Sequence, residues 1–416
     1  VLAILASGRP APGQMPAYAT LYDPLNVYDL NFEMDSADWN AIKNDSLYTL
    51  VRPAYFWADG ENKIPVTVRR KPNLADGDKV ALKVDINEFF DNLQWHGVKK
   101  LSLENGYDKN VVAEGLAWYL HRRAAGEAFG GYQPPLASWV NVTVNGELLG
   151  VYVNVEQPDK MFLRNHDLFV SGETYLYKQG DIGPPELHVG SGVSPASAAL
   201  NYRPFVAAGS VPPAGYETQV DSLINMRQML TVGAINAFTC NPDELMDKGK
   251  NFFFADFGDG VEDARRLYFP WDLDAVFQNP ETSIYGKPDR RTGLYPDYQQ
   301  YLVHNPVWHD DYNQILLDLL AGPLAVAPLL AFLDDLQAVL TPSLALDPFS
   351  NMGTTPEDIA GEFSSLRQWV TARHAFVLQE VLADMALHAT LAAPEPSTLA
   401  LLAVAVTLAW RRRRGR

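Results

Sequence analysis

Cysteine, positive charge and long apolar runs are all scarce in this sequence. Cys240 is the only cysteine, so no intrachain disulfide can form and stability must come from packing. Cys240 itself reads as a small buried residue and not as a nucleophile. Lysine and arginine number 33 against 50 acids, a formal net charge of −17. Residues 394–416 carry five arginines and one acid; without them 28 basic residues face 49 acidic ones, a balance of −21. That balance excludes nucleic acid as a partner, because nucleic-acid binding needs a basic footprint. It also repels phosphates at long range, so a phosphate site here must bring its own cations or metal. There are no internal repeats and no sustained heptads. The 416 residues, 47% hydrophobic and 20% charged, suffice for a large core in two lobes.

The two ends read as targeting segments. Val1 to Ala6, followed by Ser7-Gly8, looks like the end of a signal h-region and its small-residue cleavage zone. At the other end, Pro394-Glu395-Pro396 precedes an apolar run from Leu399 to Trp410 and the basic cluster Arg411 to Arg416. That run is short against the roughly 20 residues of a stable span, and the arginines would hold its end on the cytoplasmic side. The three parts closely resemble a PEP-CTERM sorting signal. The resemblance implies export, temporary membrane anchoring through the C-terminal helix, cleavage by an exosortase-type enzyme, and arrival at the cell surface or outside the cell.

Between the ends, the clearest element is a hairpin. Val140, Val142 and Val144 alternate, Asn145-Gly146 supplies a positive-φ turn, and Leu149, Val151, Val153 and Val155 return. Lys79 to Ile86 predicts a strand with Val80, Leu82, Val84 and Ile86 on one face. The order Val80-Ala81-Leu82-Lys83 matches the kinase strand whose lysine holds the α- and β-phosphates. A helix is expected between Leu101 and Gly126, capped by Asp108 or Asn110, with Val112, Leu116, Tyr119 and Leu120 as its stripe. Glu114 stands off that stripe and is the expected partner of Lys83. Residues 181–216, rich in Gly, Pro, Ser and Ala, read as an insert or linker. Helical spacing returns over Asp221 to Phe238, Asp311 to Leu340 and Pro356 to Leu387.

The stretch from Asn241 to Phe277 carries the chemistry. Asn251 to Phe254 and Arg266 to Phe269 can pair as strands. Asp243 and Asn251 then precede one strand, and Asp272 and Asp274 follow the other. Phosphoryl transfer needs such a set: one carboxylate orients the attacking hydroxyl, while an asparagine and another carboxylate hold magnesium. A literal Asp256-Phe257-Gly258 lies only five residues after Asn251, too few for the intervening hairpin. Asp256 is therefore read as turn chemistry, and Asp272/Asp274 as the metal-binding element.

An ordered series of short motifs resembles the CotH (spore-coat protein H) kinase family. It runs through Val68-Arg69-Arg70-Lys71, Lys79 to Asn87, Leu101-Ser102-Leu103-Glu104-Asn105, Glu114-Gly115-Leu116-Ala117, Val144-Asn145-Gly146 with Glu156, Leu176-Tyr177-Lys178, Asp243 with Asn251, and Pro270-Trp271-Asp272-Leu273-Asp274. The resemblance implies an α+β, atypical protein-kinase-like two-lobe fold, with a mixed-strand N-lobe and a mainly helical C-lobe. The corresponding divisions are a leader (1–20), an N-lobe (21–180), an insert (181–218), a C-lobe (219–390) and a short transmembrane sorting helix (394–416). Carried over by position, Asp243 and Asn251 are catalytic, Lys83, Glu114, Glu156 and Lys178 lie at the nucleotide, and Asn251, Asp272 and Asp274 bind metal. The cofactors implied are ATP with Mg or Mn, and the acceptor is a hydroxyl of a surface or envelope protein.

Two departures stand out. Pro72-Asn73-Leu74 replaces the family's usual Gly-Asn-Ser, and proline removes a backbone N–H from that loop. Asp247, four residues before Asn251, is an alternative to Asp243. A rival reading keeps the fold as a catalytically silent surface scaffold or adhesion module. A weaker one, a metal hydrolase, rests on His304 to Asp311, where paired histidines sit near acids in a polar loop.

Overall fold

The Asn145-Gly146 hairpin forms as expected and anchors the N-terminal half. Both residues take positive φ, 53° and 82°, and join β6 (Ala137–Val144) to β7 (Glu147–Val155). The remaining N-terminal strands are β1 (Tyr28–Glu33), β2 (Arg52–Ala58), β3 (Ile64–Arg70), β4 (Leu82–Asp85) and β5 (Lys100–Glu104). The computed structural model describes residues 17–392, except 59, 73–78, 108, 181–182, 206–211 and 262–263. The PEP-CTERM segment, Asp108, Asn73-Leu74 and residues 1–16 of the leader thus lie outside the described residues.

The N-terminal strands close into a seven-stranded barrel in the order β1-β2-β3-β4-β5-β7-β6. A parallel pairing of β1 with β6 seals it, and the other pairings are antiparallel. The sequence suggested mixed strands but not closure. Closure buries both faces of β7: Leu149 and Tyr152 face the barrel core, while Val151, Val153 and Val155 join the larger second core.

Helices punctuate and cover the strands: α1 (Ala17–Leu21), α2 (Ser36–Lys43), α3 (Val111–Arg123) and α4 (Lys160–Asn165). Asn110 caps α3 through the N–H of Ala113 at 2.8 Å. This helix is buried nearly all round, not along one stripe. Gly115 makes that possible, since a Cβ there would lie 2.3 Å from the Trp139 ring. A mid-helix glycine, intrinsically unfavourable by about 1 kcal/mol, is retained here because the indole lies directly on the backbone.

The second half is built on a four-stranded sheet, β11-β10-β8-β9, from β8 (Thr174–Gln179), β9 (Glu186–Val189), β10 (Phe252–Phe257) and β11 (Leu267–Pro270). Around it pack α5 (Pro195–Leu200), α6 (Tyr216–Leu223), α7 (Met226–Thr239), α8 (His309–Ala321), α9 (Val326–Leu344) and α10 (Pro356–Ala392). The boundary expected at 180 falls inside the β8–β9 hairpin, and the supposed linker supplies β9 and α5. The sheet takes up the backbone groups of β9, and α5 packs on β10, neither of which local composition reveals.

Asp347, beyond α9, plugs the barrel from the helical side. Its carboxylate meets Lys79 Nζ at 2.7 Å and accepts the Val151 N–H at 2.9 Å. Gly150 has φ of 112°, and a Cβ there would lie 2.1 Å from Asp347 Oδ1. Both conformation and contact therefore require glycine at that position. Among the described residues no single helix is long and apolar enough to cross a membrane.

Candidate active site

The barrel wall and the second sheet bring three lysines together. Lys83 lies on β4 between Arg69 of β3 and Ser102 of β5. Lys71, just past β3, is fixed by its N–H to Ala81 O at 2.8 Å. Its ammonium donates to Ser102 Oγ at 2.8 Å and forms an ion pair with Glu104. Lys178 enters from β8, where it pairs in register with Phe253 of β10. Trp271 is the plate between them: its ring centroid lies 5.4 Å from Lys71 Nζ and 5.6 Å from Lys178 Nζ.

Crowding of like charge marks this cluster. Burial, followed by the charges of Lys100, Arg69, Lys71 and Lys178, pulls the Lys83 ammonium down to about 8. Burial and Lys71 also lower Lys178, with Asp272, Glu186 and Glu104 opposing. Among the described residues neither Lys83 nor Lys178 forms an ion pair.

The acids opposite are perturbed the other way. Glu114 is buried, and burial together with Glu104, Asp274 and Asp272 pushes its carboxyl well above the usual range. Asp272 is reached by solvent yet walled by protein, as in a cleft; desolvation and Glu104 raise it, against Lys71 and Lys178. Its φ of 61° places a non-glycine residue in the left-handed region, a strain of about 1–3 kcal/mol that such sites store.

Asn251, at the start of the same hairpin, is likewise left-handed, with φ of 54°. Its carbonyl accepts the Trp271 N–H at 3.1 Å, which seats Asn251 beside the Trp271-Asp272 turn. Its side-chain amide donates to Asp243 O at 3.0 Å and Asp243 Oδ2 at 3.2 Å. Lys248 and Lys250 meet the Asp243 carboxylate at 2.7 and 2.9 Å. Burial pushes that carboxyl up, but hydrogen bonds from the two lysines prevail and hold it below its ordinary range. Asp247 instead lines a separate cavity of about 180 Å³ with Cys240, Asn241 and Gln299. Among the described residues Asn251 is thus bonded to Asp243 and not to Asp247.

The loop bearing Asp243 is set from behind by Glu244, which sequence reading passed over. Glu244 accepts the N–H groups of Met246 (2.7 Å) and Asp247 (2.8 Å) and the amide of Asn236 (3.1 Å). Asn236 continues to His121 Nε2 at 3.1 Å, and His121 Nδ1 to the Tyr132 hydroxyl at 2.7 Å. Burial raises Glu244 to about 8 and lowers His121 to about 3, so this chain from α3 to the loop runs through largely neutral groups.

Residues 75–377 match the family model described as CotH kinase protein. The chain belongs to the CotH kinase protein family. Residues 392–414 match the PEP-CTERM protein-sorting motif. That motif implies processing by an exosortase and indicates an exported chain held transiently at the membrane. No curated protein matches the chain.

Three expectations for this CotH-family chain are corrected by the geometry. Among the described residues no contact joins Lys83 to Glu114; the lysine whose charge is felt at Glu114 is Lys71, itself paired with Glu104. Lys71 and Glu104 stood in the matching motifs, but the Val-Ala-Leu-Lys order drew attention to Lys83. Glu156 is buried and, among the described residues, bonded not to Lys71, Lys83 or Lys178 but to the Tyr18 hydroxyl, to His166 Nε2 at 3.0 Å and to the Leu136 N–H at 3.1 Å. It braces α1 and α4 against the barrel. Asp256 is no turn residue: it lies in β10, fully buried, and pairs with Arg266 at 2.6 Å. Pro72 is an exposed bend.

Proposed function

We propose that this chain is an exported kinase of the CotH type, transferring the ATP γ-phosphoryl to a hydroxyl of a surface or envelope protein. One observation carries the reading: partly buried lysines crowded against one another face desolvated carboxylates crowded against one another. Burial and like charge lower Lys83 and Lys178 and raise Glu114 and Asp272. A magnesium–triphosphate pair supplies counter-charge to both groups, the anion for Lys71, Lys83 and Lys178 and the cation for Asn251, Asp272 and Asp274. The arrangement parallels the two lobes of a kinase, with the barrel as N-lobe and the sheet and helices as C-lobe. When bound, the metal neutralises charge on the phosphates. Asp243, deprotonated and held by Asn251, Lys248 and Lys250, orients the acceptor hydroxyl. Glu114 supports the metal-side carboxylates from α3.

Incubation of the purified chain with labelled ATP and Mg or Mn is expected to label the chain itself or an added envelope protein. Asp274→Ala should reduce labelling to background. Equal incorporation by wild type and Asp274→Ala sinks the catalytic reading; a metal-dependent thermal shift by ATP without labelling would identify a silent nucleotide binder.

Proton linkage tests the charge argument without turnover. Glu114 is held well above the ordinary carboxyl range, so binding Mg or Mn alone near pH 7 should release protons. Lys83 is lowered to about 8, so binding the nucleotide without metal at pH 8 should take protons up. Calorimetry in buffers of different ionisation enthalpy reads both signs. Heats that do not change with buffer would refute the linkage.

A further inference from the structure

A feature that the proposed kinase chemistry leaves unused lies against α8 and α10. A cavity of about 1080 Å³ opens there, lined by Tyr285, Tyr295, His304, His309, Asp384 and His388 among others. His309 was expected in a polar loop; it instead begins α8 and is buried. Asp384 and His388 stand one turn apart on α10. One ligand atom from each of His309, Asp384 and His388 falls in a group whose members all lie within 4.8 Å of one another.

The hydrogen bonds behind the ligand atoms support the grouping. His309 Nδ1 lies 2.7 Å from the carbonyl of Val303. A carbonyl only accepts, so Nδ1 carries the proton. That leaves Nε2 as the nitrogen facing Asp384 Oδ2, at 2.8 Å. A proton on Nε2 or a metal ion beside both atoms satisfies that contact, and a zinc titration distinguishes them. A backbone carbonyl behind a histidine is the usual outer support of a metal-bound imidazole. The carboxylate has its own support: Asn313 donates to Asp384 Oδ2 at 2.8 Å and is held by the Tyr285 hydroxyl at 2.6 Å.

We propose that His309, Asp384 and His388 form a binding site for a divalent ion of the zinc type, with a remaining coordination position open to the cavity. Two imidazoles and one carboxylate are the donor set of zinc sites that keep a water, and a poor set for magnesium or calcium. His388 Nδ1 lies 3.8 Å from Asp384 Oδ2. With His309 at 2.8 Å, the two separations straddle the roughly 3.3 Å between neighbouring ligands of a tetrahedral zinc ion. Asp310, 4.0 Å from His388, adds negative charge at the open side. The bound ion would clip the last turns of α10 to α8, immediately before the sorting motif that begins at 392.

The test is calorimetric titration of Zn²⁺ into the metal-free full chain, paired with thermal unfolding. Asp274→Ala, which lacks a ligand of the other metal site, is expected to bind one equivalent, wild type at least one, and both to gain in Tm. Asp384→Asn and His388→Ala should bind at least about 10-fold more weakly and lose the Tm gain. His388 reaches solvent, so its replacement leaves the fold intact, which circular dichroism verifies. The proposal is overturned if wild type takes up no zinc, since a proton then bridges His309 and Asp384. It is equally overturned if His388→Ala binds as wild type does, or if Asp274→Ala abolishes binding and so places the ion in the other site.

Discussion

Replacing Lys71 with methionine is expected to lower kcat/KM for ATP-dependent transfer by about 10²-fold or more, and Lys83→Met to cost distinctly less. The scale is that of removing one preorganised donor from developing charge in a water-poor site. The order follows from the geometry. Lys71 is held at three points, by Ser102, Glu104 and the face of Trp271, so its ammonium is already in place when a phosphate arrives. Lys83 has no such brace, and at about 8 it is partly neutral in mildly alkaline buffer. The two variants should therefore also differ in pH dependence. The wild-type rate should lose a component as Lys83 deprotonates toward pH 9, and Lys83→Met should not show that loss. Initial-rate measurements from pH 6.5 to 9 decide it. Equal losses in the two variants would return Lys83 to the leading role that its strand motif suggested.

Lys71 and Lys83 also show where sequence reasoning stops. Local signals were legible: alternation and Asn145-Gly146 gave the β6–β7 hairpin, and the runs Asn251 to Phe254 and Arg266 to Phe269 gave the β10–β11 pair, with Asn251 and Asp272 at one end. Barrel closure was not, because it rests on a parallel contact between strands more than 100 residues apart, Tyr28 to Val140. The direction of Glu114 was hidden for a related reason. Apolar spacing placed it off the stripe of α3, as the partner of Lys83, but the helix is buried nearly all round and Glu114 lies among Glu104, Asp272 and Asp274. The metal-site residues on α10 are some 75 positions from His309, so nothing local could join them.

Asp256→Ala should destabilise the chain by about 3–5 kcal/mol, the usual cost of removing one member of a buried ion pair. Both side chains are fully buried, and Asp256 accepts two contacts from the Arg266 guanidinium, at 2.6 and 2.9 Å. Ser197 Oγ adds a third at 2.5 Å, and Ser194 Oγ bonds to the same carboxylate. Arg266 is further committed to the Tyr202 carbonyl at 2.7 Å and lies 4.2 Å from the Phe254 ring. Without Asp256 the guanidinium stays buried beside aromatic faces with its charge unanswered. Burial raises the Asp256 carboxyl and Arg266 lowers it further, so its folded value falls below the unfolded one. Its contribution is then complete above the ordinary carboxylate range and fades as pH falls through the folded value. Urea unfolding of the full chain at pH 7 reads the loss directly. The paired change Asp256→Leu with Arg266→Met should recover most of it, because apolar groups of similar volume need no counter-charge. A role in chemistry, as Asp256-Phe257-Gly258 invites, makes the opposite forecast: labelling lost with the unfolding midpoint unchanged. That result would move the metal-binding carboxylate from Asp272/Asp274 into the strand.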